Sequence, residues 1–183
     1  MGGDSEYLVP AFTLLSHEGT AVNLSDYEGK VVIVSFVYTR CPDVCPAVSA
    51  SLAWTLEALG EDYGEDVAIL SITVDPWFDS EEVLSDYAVG RNLSWPHLRG
   101  EVEDLEPIWK SFHVGLRTYL NDSIEEENGT EGRSAARHHP DYLVDHSTAT
   151  IIIDRNHLQR VFWGDQDWVP ELFLNDVQAL IAE

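Results

Sequence analysis

Val31-Val32-Ile33-Val34-Ser35-Phe36-Val37 is apolar at every position but one, which predicts a strand buried on both faces. The period then changes. Between residues 46 and 59, Val48, Leu52, Leu56 and Leu59 fall on one helical face. Val67-Ala68-Ile69-Leu70-Ser71-Ile72-Thr73-Val74 predicts a second buried strand. Ser80 has the chemistry of an N-cap, and Val83, Leu84, Tyr87 and Ala88 give the helix after it an apolar face. Leu105, Ile108, Trp109 and Phe112 form a third helical stripe. Residues 117–142 lack periodicity, are rich in Asn, Asp, Glu, Gly, Ser and Arg, and read as an insertion or mobile loop. Residues 149–153 and 158–163 then predict paired strands around the turn Asp154-Arg155-Asn156-His157. A last helix is expected to bury Val169, Leu172, Phe173, Val177, Leu180 and Ile181.

Strands alternating with helices, closed by a hairpin and a helix, point to an α/β chain. The expected architecture is a thioredoxin-like sandwich: a central mixed sheet flanked by helices. With 183 residues and 44% of them hydrophobic, the chain is sized for one such domain over residues 1–183.

Charge narrows the partners. Ten basic residues face 33 acidic ones, a net charge of −23 that repels phosphate backbones and anionic headgroups. No nucleic-acid partner is therefore expected. Six Trp, seven Tyr and six Phe argue against disorder. No run of 18 apolar residues is present to span a bilayer, and Met1–Glu6 has neither the basic flank nor the apolar core of a signal peptide. The expectation is a cytosolic chain or one from which an export segment has been removed. The acids are dispersed and only Lys30 and Lys110 are lysines, a surface suited to concentrated salt, where mutual repulsion is screened. A halophilic source is expected.

The two cysteines, Cys41 and Cys45, follow the first buried strand and precede the first long helix. Pro46 suits the first turn of a helix, so Cys45 belongs at its entrance and Cys41 in the loop above. Partial positive charge at a helix start favours thiolates. Three readings stand: a short stapling disulfide, a dithiol redox pair and a soft-metal site. The redox motif usually has two intervening residues, and here there are three. A metal site needs a ligand from elsewhere. Of His17, His97, His113, His138, His139, His146 and His157, His146 stands out by context, because it precedes the strand at 149–153 where such a sheet borders its active end.

Phe36-Val37-Tyr38-Thr39-Arg40-Cys41-Pro42-Asp43-Val44-Cys45-Pro46, Ser71-Ile72-Thr73-Val74-Asp75-Pro76 and Tyr142-Leu143-Val144-Asp145-His146-Ser147 occur in the order found in Sco/SenC proteins. From about Pro10 onward the chain resembles that family of copper-binding, thioredoxin-fold proteins. The resemblance implies copper ligation by Cys41, Cys45 and His146, chiefly as Cu(I), with Cu(II) the second state. It implies a copper metallochaperone delivering to the Cu-A subunit of cytochrome c oxidase, with a thiol reductant protein as a further partner. The alternative is an enzyme, a thiol-disulfide oxidoreductase that keeps the oxidase cysteines reduced. Family members act on the extracytoplasmic face of the cell membrane, held by an N-terminal anchor; this chain is expected to be a soluble fragment. Asp75 is expected to hold its strand end, and Asp145 to orient His146.

Overall fold

In a computed structural model, the described residues are 7–42, 44–120, 142–146, 149–164 and 168–183. Their elements run β1 (Thr13–Ser16), β2 (Ala21–Asn23), a 3-10 turn (Leu24–Tyr27), β3 (Val31–Val37), α1 (Val44–Leu59) and a short α2 (Asp62–Glu65). There follow β4 (Val67–Thr73), α3 (Glu81–Gly90), β5 (His97–Arg99), α4 (Val102–Ser111), β6 (Leu116–Leu120) and β7 (Tyr142–His146). The chain closes with β8 (Ala149–Ile153), β9 (Gln159–Gly164) and α5 (Pro170–Ile181).

Seven strands form one mixed sheet in the order β2-β1-β5-β4-β3-β8-β9. At its centre β3 and β4 run parallel, in register from Val31↔Val67 to Val37↔Thr73, while β8 lies antiparallel on the other side of β3. Every residue of β3 and β4 is buried, because helices cover both faces of the sheet. Alternation sorts their side chains. Val32, Val34 and Phe36 pack with Leu105, Ile108, Trp109 and Phe112 around α4. Val31 and Ile33 pack with Val48 and Leu52 of α1, Tyr87 and Ala88 of α3, and Phe173 and Val177 of α5. This is the α/β sandwich that the pattern predicts.

Several expectations change in detail. α1 starts at Val44, ahead of Pro46. Ser80 does cap α3, accepting the Val83 N–H at 3.2 Å. On α5, Leu172 is exposed, as is Val169 before it, while Phe173, Val177 and Leu180 are buried. Those two apolar residues do not reach the sheet, so the predicted buried stripe was too wide. The segment 117–142 is not loop throughout. Its ends lie in β6 and β7, which form a separate two-stranded ladder in register from Leu116↔His146 to Leu120↔Tyr142. The remainder, 121–141, lies outside the described residues. Among the described residues no helix is long and apolar enough to cross a membrane.

Candidate metal centre

The site begins where β3 ends. After Val37 the chain turns, with the Cys41 N–H donating to the Tyr38 carbonyl at 3.1 Å, and then enters α1. Cys45 lies in the first turn of α1, followed by Pro46, whose missing N–H is harmless there. The Cys45 N–H donates to Cys41 Sγ at 3.4 Å, so a backbone donor at the helix start faces a sulfur. Both cysteines are free thiols; Cys45 is buried and Cys41 partly exposed.

The third expected residue arrives from the β6–β7 ladder. His146 ends β7 opposite Leu116, and its Nε2 lies 3.9 Å from Cys45 Sγ. It stands just before β8, as expected, and closes a strand of its own ladder. The ring of buried Tyr38 meets the imidazole edge-on, with centroids 5.6 Å apart. Tyr38 was not marked by sequence reasoning as a site residue, although its place between β3 and Cys41 was a usable signal.

The spacing suits a soft ion. Two donors of one ion, with zinc-like bonds of about 2.3 Å to sulfur and about 2.0 Å to nitrogen at a trigonal angle, stand roughly 3.7 Å apart. Cys45 and His146 are close to that separation. Among the described residues, however, no group of three His, Cys, Asp or Glu side chains is already assembled to hold a metal ion. Cys41 Sγ instead receives the amide of Cys45.

Behind the thiol loop, Asp75 is fully buried and Arg40 donates to it at 2.9 Å. The Arg40 guanidinium also covers the Phe78 ring at 4.1 Å. Asp75, just past the end of β4, is thus tied to the thiol loop through Arg40. Asp79, fully buried beside it, gave no sequence signal; burial pushes its carboxyl up to about 6, against hydrogen bonds from Thr39 and Thr73. The side chain of Asp145 lies outside the described residues, as do His138 and His139.

The other described histidines serve structure. His17 and His97 meet edge to face at 5.5 Å, and the His17 Nδ1 accepts the His97 N–H. His97 is fully buried, stacked on Trp95, and burial lowers its pKa to about 4. His113 and His157 occupy left-handed turn positions, with φ of 56° and 62°.

Fold and site together define a thioredoxin-like domain with two thiols at a helix entrance and an imidazole brought from a distant hairpin. The SCO1/SenC family profile matches residues 2–182, and the chain belongs to that family. It is 31% identical over 180 residues to Protein SenC of Rhodobacter capsulatus, covering 98% of this chain and 73% of that protein. It is 30% identical over 144 residues to Protein sco1 of Schizosaccharomyces pombe, covering 79% of this chain but 50% of that one. The chain thus spans about half the length of that relative. The crystal structure of Arabidopsis thaliana ScoI with copper bound is 26% identical and superposes with a TM-score of 0.76, covering 96% of this chain and 98% of that one.

Proposed function

We propose that this protein is a copper metallochaperone that takes copper as cargo on Cys41, Cys45 and His146. Its proposed destination is the Cu-A centre of cytochrome c oxidase. The observation that carries the proposal is the approach of His146 Nε2 to Cys45 Sγ across 101 positions of sequence. A soft donor set of two thiolates and an imidazole selects Cu(I) over hard cations, and family membership with a copper-bound relative supports the same cargo.

Three ligands leave the ion open to attack. An incoming thiolate, imidazole or thioether of the acceptor can bind while one original ligand departs, so no catalytic turnover is needed. Direction follows from the acceptor's higher affinity. Joining Cys41 and Cys45 in a disulfide removes both thiolates and blocks loading, which calls for a thiol reductant as second partner. Imidazole ligates only when neutral, so acid weakens the site. By family, the place of action is the extracytoplasmic face of the cell membrane.

Anaerobic titration of the reduced chain with Cu(I), with metal-edge spectroscopy counting sulfur and nitrogen neighbours, tests the proposal. One ion with two sulfurs and one nitrogen is expected. The absence of tight Cu(I) binding would sink it.

A thiol-disulfide reductase is the second reading, favoured by the Cys45 amide aimed at Cys41 Sγ. It has no need of His146, so His146→Ala separates the two.

A further inference from the structure

One carboxylate behind the thiol loop has no part in the proposed ligand set. Asp79 is fully buried. Its carboxylate accepts the Thr39 hydroxyl at 2.6 Å and the Thr73 hydroxyl at 2.6 Å, with the Thr39 N–H at 3.3 Å from both oxygens. Arg99 reaches the backbone carbonyl of Asp79 at 3.1 Å rather than its side chain. Arg40 is directed to Asp75. Among the described residues, no ion pair neutralises Asp79.

A buried charge of this kind is unfavourable unless hydrogen bonds compensate it. The donors that do so come from two separate segments. Thr73 ends β4, and Thr39 stands in the turn that closes on Cys41 through the Tyr38 carbonyl. The carboxylate therefore ties the thiol loop to the end of a central strand.

We propose that Asp79 is a positioning residue for Cys41, holding the turn from Tyr38 to Cys41 through Thr39 and so fixing how the two sulfurs face each other. The inference rests on the reading of Cys41 and Cys45 as working thiols, not on copper as their cargo. Arg40, paired with Asp75 and stacked on Phe78, anchors the same turn from the adjacent position. Protonation of Asp79 converts one acceptor position into an O–H donor and weakens the tie. Among the described residues, the charged groups beside it are Asp75 on its own loop, with its partner Arg40 from the thiol loop, and Arg99 from β5 at its backbone carbonyl.

The test uses the reduced, metal-free chain equilibrated with glutathione. One glutathione disulfide takes two electrons from the thiols of Cys41 and Cys45, giving one internal disulfide and two glutathione thiols. Asp79→Ala is expected to keep the wild-type circular dichroism and to lower the equilibrium constant by about tenfold, as a fixed sulfur neighbour becomes a loosely tethered one. Asp79→Asn keeps one acceptor oxygen and should fall between the two. In a His146→Ala background, which removes the imidazole beside Cys45, the constant should show a step near pH 6 that adding Asp79→Asn abolishes. Either variant, folded and with the wild-type constant, overturns the proposal, as does a step that Asp79→Asn leaves unaltered in that background. If Asp79→Ala does not fold, Asp79→Asn decides alone. A parallel Cu(I) titration keeps the two readings apart: failure of the wild type to bind copper sinks the chaperone and leaves Asp79 standing.

Discussion

The imidazole of His146 and the thiol of Cys45 lie 3.9 Å apart, brought together by a two-stranded ladder that stands outside the main sheet. His146→Ala should lower Cu(I) affinity by more than the ~10–100-fold that follows loss of an outer-shell partner, since it removes a ligand outright. Dithiol exchange with glutathione should persist. Competition with a Cu(I) chelator measures the first, and unchanged copper affinity would favour the reductase.

The two thiols differ in access, Cys45 being 1% exposed and Cys41 partly exposed. A bulky alkylating reagent should therefore modify Cys41 first, and peptide mapping after short exposure should show it. Preferential modification of Cys45 would contradict this arrangement of the helix entrance.

Arg40 compensates the buried carboxylate of Asp75 at 2.9 Å. Arg40→Ala removes this partner and should cost about 3 kcal/mol in denaturant unfolding, the usual scale for breaking a buried pair from one side. Arg40→Lys keeps the charge but loses the planar contact with Phe78, so a smaller loss is expected. A stability change within the ordinary surface range for Arg40→Ala would show the pair to be unimportant.

Two buried groups give opposite pH signatures. His97 has its pKa lowered from 6.5 to about 4 by burial, so its neutral form is the folded one. The stability it contributes is present above pH 6.5 and is lost as pH falls toward about 4. Asp79 has its pKa raised from 3.8 to about 6, so its contribution is complete below 3.8 and is lost as pH rises through about 6. Melting between pH 4 and pH 7 should show His97→Gln flattening the acid side of the curve. Asp79→Asn should stabilise near neutral pH relative to its effect at pH 4. The reverse pattern would mean that the two environments are misassigned.

A net charge of −23 gives the last prediction. Screening acts over about 10 Å at 0.1 M salt and about 3 Å at 1 M, so molar salt suppresses most surface repulsion. The melting temperature should rise steeply with salt, and the chain should lose structure at low ionic strength. A flat response would remove the halophilic reading.

The central strands were legible because β3 and β4 are buried on both faces, which leaves an apolar run no other element explains. Helix α3 was legible because Ser80 and the face of Leu84, Tyr87 and Ala88 are local signals. Strands β1, β2 and β5 were missed: they are three or four residues long, too short for a period to show. The β6–β7 ladder was masked by the polar composition between its strands.

Order of elements, the pair of thiols at a helix entrance and the excess of surface acid follow from local composition and spacing, which the linear chain carries in full. The meeting of His146 with Cys45, the edge of Tyr38 against the imidazole and the convergence of Thr39 and Thr73 on Asp79 do not. These contacts join residues from separate elements. They exist only once the sheet has set its strand order and the thiol loop, the start of α1 and the β6–β7 ladder have come together at its end.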